Sequence, residues 1–211
     1  MASRSLPGRL LRGLRPALLG PLRFAFDGGY LRSALLCQAV DWRGAPLLWV
    51  TYPAIAYLEA LDWRGRKVLE WGAGNSTLWW AARGAHVFSV EHDPAWVEAL
   101  RPRLANYPQV QLHAAGDAAD YVAGPRVAAP FDVAVIDGED RLGCARAALE
   151  LVRPQGAIVL DNSEQAWAAP ISTLLAQAGY RRVDFHGFAP SVARPHCTSL
   201  FFRPECDLLS P

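Results

Sequence analysis

Four carboxylates stand where short apolar runs stop. Glu70 follows Val68 and Leu69, Glu91 follows the run 87–90, Asp137 follows 133–136 and Asp161 follows 157–160. A fifth acid, Asp117, comes soon after the run 110–113. If the runs are parallel strands, their acids gather on one sheet edge, and in open α/β sheets ligands bind beyond the carboxyl ends of the strands. One acid at such a place reads as a cap for the next helix. Several on one edge make a negative cleft that calls for a cation or many hydrogen-bond donors. Glu70 opens the run Glu70-Trp71-Gly72-Ala73-Gly74-Asn75-Ser76-Thr77, where Gly72 and Gly74 permit a tight turn and the close approach of a ligand. A dinucleotide motif would need glycine in place of Thr77, and Glu70 would lie beside a pyrophosphate, so a nicotinamide cofactor is disfavoured. Glu91, 21 residues after Glu70, suits the two hydroxyls of a ribose, which a carboxylate accepts.

The elements that must position these groups alternate from residue 67 onward. Strands are predicted over 68–71, 87–91, 110–113, 133–137 and 157–161. Two of them are nearly continuous apolar runs, as central strands of a sheet covered on both faces should be. Asp93 and Pro94 supply an N-cap and a first-turn proline for a helix reaching residue 104. A second helix is predicted over 141–152, ending before Pro154 and Gly156, and a third from Pro170 to Gly179. This alternation specifies a doubly wound, Rossmann-like, mostly parallel α/β sheet. Two last strands, 182–186 and 198–203, have no room for a crossover helix between them and should form an antiparallel hairpin, giving seven strands in all. The chain divides into an arginine-rich leader (1–29), a helical, aromatic cover (30–66) and the sheet domain (67–211).

With 211 residues, 21 basic and 20 acidic side chains, the chain lacks the basic surplus of a nucleic-acid binder. Four cysteines with no metal-ligand or disulfide-framework spacing predict reduced thiols packed as small apolar groups in a cytosolic setting. No apolar run reaches the ~18 residues of a membrane span. Residues 1–26 contain five arginines (Arg4, Arg9, Arg12, Arg15, Arg23), no acid, and leucines at roughly helical spacing. Pro7, Pro16 and Pro21 with Gly8, Gly13 and Gly20 should break this leader into short pieces. It reads either as a loosely docked leader or as a segment for an anionic membrane surface or organelle targeting.

Residues 67–161 resemble the core of the class I S-adenosylmethionine-dependent methyltransferases. The run 68–74 resembles their first motif, with Ser76 replacing the third glycine of the fuller form. Val90-Glu91 resembles the second motif and Gly116-Asp117-Ala118 the third. Residues 131–138 and 151–161 resemble the fourth motif and the helix, loop and strand that follow it. The resemblance implies S-adenosylmethionine held by Glu70, Gly72, Gly74, Asn75, Ser76, Glu91, His92, Asp117, Ala118 and Asp137. It implies in-line methyl transfer to a small-molecule acceptor, with a hydroxyl oxygen as the expected nucleophile and Asp137 at the mouth of the transfer site.

Asp137 and the pair Asp161-Asn162 are similar to the ligands that hold Mg2+ or another divalent cation in the catechol type of O-methyltransferase. The other reading makes them a pocket wall and a helix cap. Arg141 stands near that group's lysine position and could pair with an acidic substrate group or sit exposed at a helix start. Tyr52, in the aromatic segment 49–53, is expected either to donate a hydrogen bond at the acceptor site or to pack in the cover. The competing function is a cofactor-binding or membrane-surface partner protein without catalysis.

Overall fold

The computed structural model describes residues 6–208, with side chains from residue 14. A seven-stranded sheet runs in the order β3-β2-β1-β4-β5-β7-β6. Its strands are β1 (Lys67–Trp71), β2 (His86–Glu91), β3 (Val110–Ala114), β4 (Phe131–Ile136), β5 (Val152–Leu160), β6 (Arg181–Gly187) and β7 (His196–Phe202). The first five are parallel, while β7 runs antiparallel to both β5 and β6. The expected Rossmann-like sheet with a terminal hairpin is therefore present.

Alternation along the strands builds two cores. Val68, Val87, Val133, Val135 and Val159 face one side of the sheet, where they meet Trp63, Trp79 and Trp80. Leu69, Trp71, Phe88, Ala134, Ile136 and Ile158 face the other. There α7 (Arg141–Leu151) presents Cys144, Ala145 and Ala148, small enough for the helix to lie close on the strands, beside Ile171 and Leu175 of α8 (Ala168–Gln177). Neither face is left to water, so the central strands carry no polar alternation.

The strand order reverses at β1, whose neighbours are β2 on one side and β4 on the other. The loops leaving β1 and β4 part there and open a crevice. Gly72 makes this possible. Its φ of +99° lies in the left-handed region, and a Cβ would stand 3.2 Å from the Asp137 carbonyl oxygen.

The structure departs from expectation at several elements. The leader is not broken into pieces: α1 (Leu6–Asp27) is one helix with Pro16 and Pro21 inside it. Proline's fixed φ is compatible with the helix, although each ring removes a backbone donor and crowds the carbonyl four residues back, a cost that α1 carries without ending. Residues 1–5 of the leader, Arg4 among them, lie outside the described residues. The cover is helical only in α2 (Tyr30–Leu36) and α3 (Tyr52–Glu59). Between them Asp41 accepts from the backbone N–H groups of Arg43 and Ala45, both at 2.8 Å, a turn that competes with helix. Helix α8 begins two residues ahead of Pro170, which sits in the first turn where its missing donor has no partner to lose. Cys37 is exposed, whereas Cys144, Cys197 and Cys206 are buried. Cys37 takes a left-handed conformation at the end of α2 and cannot reach the core.

Candidate functional site

The crevice outside β1, β2 and β4 holds a cleft of about 390 Å³. Gly72, Gly74, Asn75, Ser76, Glu91, His92, Asp137 and Arg141 all line it, so most of the sequence-predicted positions meet there. Glu91 ends β2 and fixes the local backbone. Its Oε1 accepts from the N–H groups of His92 (2.8 Å) and Asp93 (2.9 Å), and its Oε2 from that of Ala73 (3.2 Å). A carboxylate has about four acceptor positions, so Oε2 keeps one for a ligand hydroxyl. Asn75, at the start of α4 (Asn75–Ala82), donates to the Ala39 carbonyl at 2.7 Å and accepts from Arg103 at 2.5 Å, which ties the glycine turn to the cover.

Asp117 and Ala118 lie in an adjoining hollow that shares His92, Tyr121 and Glu139 with the cleft. Asp117 also caps α6 (Ala118–Ala123) by accepting from the Asp120 N–H at 2.8 Å.

Glu70 does not line the cleft. It is fully buried beneath the glycine turn, where Oε2 accepts from the hydroxyls of Thr77 and of Ser89, the latter at 2.7 Å. Burial raises its carboxyl above the ordinary value against those bonds. Thr77 in turn accepts from the Gly74 N–H at 3.0 Å, so Glu70 holds the turn from below and touches no ligand space. Tyr52 is likewise not at the site. Its ring packs edge-on against Phe24 (4.9 Å) and near Tyr30 (6.4 Å), and burial pushes its hydroxyl up to about 12. Tyrosine in a cover segment follows its neighbours in the apolar cluster, which spacing alone does not reveal.

A second cavity, about 260 Å³, is lined by Trp49, Asp137, Asp161, Asn162, Ala189, Val192 and His196. Trp49 and Asp137 belong to both cavities and mark where they meet. Arg141 is neither exposed nor free for a substrate. Its guanidinium donates to the Gly138 carbonyl (3.1 Å), the Asp161 carbonyl (2.6 Å) and Asp137 Oδ1 (3.2 Å), and stacks over Trp167. It clamps the loops after β4 and β5 together. Asp161 Oδ1 accepts from the Thr198 hydroxyl at 2.6 Å, and Thr198 Oγ1 accepts from the Thr51 N–H at 3.0 Å.

In this structure the predicted cation ligands are engaged by groups of the chain itself. A permanent cation already sits on Asp137, one Asp161 oxygen is taken by Thr198, and the Asn162 amide lies 3.4 Å from His196 Nδ1. Among the described residues, the acid, histidine and cysteine atoms that converge closely are those of Asp184, His186 and Cys197 on the terminal hairpin. There Arg182 and Ser199 already occupy Asp184, each at 2.6 Å.

The two acids at the junction remain under-compensated. Burial and then the neighbouring Asp161 charge push Asp137 well above its ordinary value, against the pull of Arg141. Burial pushes Asp161 up to about 6, against the Thr198 hydrogen bond and Arg141. A positive charge in the cleft relieves both.

His196 was not singled out by spacing, yet it lines the smaller cavity. It is buried, and Nδ1 lies 3.0 Å from Glu164 Oε1. Its Nε2 is buried without a hydrogen-bond partner. Burial opposes ionisation of Glu164, but bonds from the Cys197 N–H and from His196 outweigh it and hold the carboxyl below its ordinary value. A carboxylate on Nδ1 fixes the proton there and leaves Nε2 as an acceptor. The signal in sequence was slight: Glu164 and His196 lie 32 residues apart on either side of α8 and β6.

Comparison with known proteins gives a family-model match, described as a methyltransferase domain, over residues 69–163. No curated protein matches the chain. The cofactor-bound Rv0187 from MTB is a structural match at TM-score 0.59 and 24% identity, covering 97% of this chain and 100% of that one. A precorrin-6y C5,15-methyltransferase from Geobacter metallireducens matches at 0.56 and 17%, over 70% of this chain and 86% of that one. A methyltransferase from Pyrococcus furiosus matches at 0.56 and 18%, over 87% and 97%. At these identities the likeness is one of fold.

Proposed function

We propose that this chain, a member of the class I S-adenosylmethionine-dependent methyltransferases, transfers its methyl group to a hydroxyl oxygen of a small molecule. The observation that supports an oxygen acceptor is His196, a histidine oriented by Glu164 and left with an unpartnered Nε2, in a cavity that meets the cleft at Asp137 and Trp49. A hydroxyl must lose its proton to attack, whereas a neutral amine or thiolate needs no such partner.

S-adenosylmethionine supplies an electrophilic methyl group on a positively charged sulfur. The residues present suit it. The Asp137–Asp161 pair lacks enough positive charge, Gly72 and Gly74 bring the backbone close, and Glu91 keeps an acceptor position for the ribose. His92, Asn75 and Ser76 would flank the bound molecule, and Asp117 with Ala118 would bound its adenine end.

In this reading the acceptor hydroxyl lies in the smaller cavity. His196 Nε2 takes its proton as the oxygen closes on the methyl carbon. The bound cofactor would supply the methyl carbon and leave as S-adenosylhomocysteine, so the proton on the acceptor oxygen is the one group the protein itself must take. His196 then passes its proton to water. Trp49 stands at the junction of the two cavities, and Arg141 keeps the loops after β4 and β5 in register. No step runs through a metal ion.

The test is a panel of phenols, alcohols and amines with methyl-labelled cofactor, followed by identification of the labelled atom. Methylation at oxygen, with kcat lowered about 10²–10⁴-fold in His196→Ala, is expected. Label on nitrogen or carbon, or an unchanged kcat in the variant, overturns the reading.

A further inference from the structure

The molecule also exposes an apolar helix face that the methyl-transfer site does not use. In α1 (Leu6–Asp27) the leucines Leu14, Leu18 and Leu22 recur every fourth residue with Leu19 beside them, and they are 50%, 65%, 55% and 43% exposed. Phe26 is 58% exposed at the same end. Side chains four apart share one helix face, so these make a stripe that no other described residue covers. Helix α2 (Tyr30–Leu36) extends it, since Leu31, Leu35 and Leu36 are exposed as well.

Charge identifies what the stripe meets. The sequence has five arginines and no acid before Asp27, and Arg15 and Arg23 are exposed on the helix itself. A protein partner's groove would bury leucine but has no general reason to require so one-sided a charge. An anionic lipid surface needs both: headgroups for the arginines and acyl chains for the leucines. No helix among the described residues is long and apolar enough to cross a membrane, so the helix would lie in the plane of the interface.

The helix is attached to the body in a way that suits this. Phe24 packs against Tyr52, Tyr30 and Phe188, with ring centroids 4.9, 5.7 and 6.5 Å away. Tyr30 donates its hydroxyl proton to the Val192 carbonyl at 3.1 Å, and Ser191 donates to the Ser33 carbonyl at 2.5 Å. The anchor is thereby fastened through loop 188–195, which contributes Ala189 and Val192 to the smaller cavity.

We infer that α1, continued by α2, docks the protein on the surface of an anionic bilayer. The inference stands apart from the identity of the methyl acceptor. It is tested by flotation of the full chain with phosphatidylcholine vesicles, with and without phosphatidylglycerol. The expected result is binding to the anionic vesicles, weak binding to the neutral ones, and loss of binding as salt rises. Leu18→Glu with Leu22→Glu should lower partition about a hundredfold, and Arg15→Glu with Arg23→Glu at least about tenfold. All four positions are exposed, and the arginine pair keeps the test informative if the leucine pair impairs folding. Absence of binding to anionic vesicles, or both variants binding as the parent does, overturns the inference. So does a parent that is dimeric, ignores vesicles and becomes monomeric with the leucine changes, since a second copy would then own this face.

Discussion

The two cavities that meet at Asp137 differ in how far along the chain their bracing contacts reach. The larger cleft has a strand-end turn braced by groups close together in the chain, although Asn75 also ties it to Ala39 across 36 positions and to Arg103 across 28. Glu91 binds the N–H groups of the next two residues, and the glycine turn is braced by Glu70 and Thr77, seven residues apart. The smaller cavity is held by contacts that reach farther across the molecule. Thr51 meets Thr198 across 147 positions, and Asp161 meets Thr198 across 37. A local motif survives as a recognisable string. A long-range cavity takes its shape from whichever loops the sheet brings together, which is why one fold serves many acceptors.

If this division is right, damage on one side should leave the other intact. The largest effect is expected at His196. His196→Ala should lower kcat about 10²–10⁴-fold while calorimetric affinity for S-adenosylhomocysteine stays within about twofold. Glu164→Gln should shift the pH–rate profile as well as its height, which a purely structural role would not do. The reverse is expected of Glu91→Ala, which should weaken S-adenosylhomocysteine about 10–100-fold, the worth of a hydrogen bond to a charged group with its partner left behind. Equal loss of cofactor affinity in both variants would erase the distinction.

Gly72→Ala tests whether the two halves share the strand-end backbone. A side chain there combines a φ of +99° with a 3.2 Å approach to the Asp137 carbonyl, so a destabilisation of about 1–3 kcal/mol should appear in a thermal melt. An unchanged melting temperature would mean the loops yield easily.

A smaller effect reports on charge at the junction. Asp161, pushed up to about 6, is protonated below that pH and negative above it. The preference for cationic S-adenosylmethionine over neutral S-adenosylhomocysteine should therefore rise with pH through about 6, by roughly tenfold. A flat ratio would remove the pair from sulfonium recognition. The smallest effect is expected from metal removal: because Arg141 already occupies Asp137, chelators should leave turnover unchanged. Loss of activity restored by Mg2+ would return Asp137, Asp161 and Asn162 to the role their pattern suggests.

Much of the fold is legible in the chain. Apolar runs of strand length, helix caps such as Asp93-Pro94 and the crossover argument for the terminal hairpin each express a constraint acting over a few residues, and the sheet follows them. The leader shows the limit. Proline and glycine suggest interruption at Pro16 and Pro21, yet α1 continues, since the count of breakers does not say whether φ must change.

The site divides along the same line. The chain alone places Gly72, Gly74, Glu91 and Asp137 at the cleft, because a strand end followed by a turn fixes where such side chains emerge. Packing between distant segments puts Glu70 under the turn, Tyr52 against Phe24, Arg141 in its clamp and Glu164 beside His196. Each of those outcomes depends on which distant segment fills the neighbouring space, and packing, unlike a motif, leaves no fixed spacing in the chain.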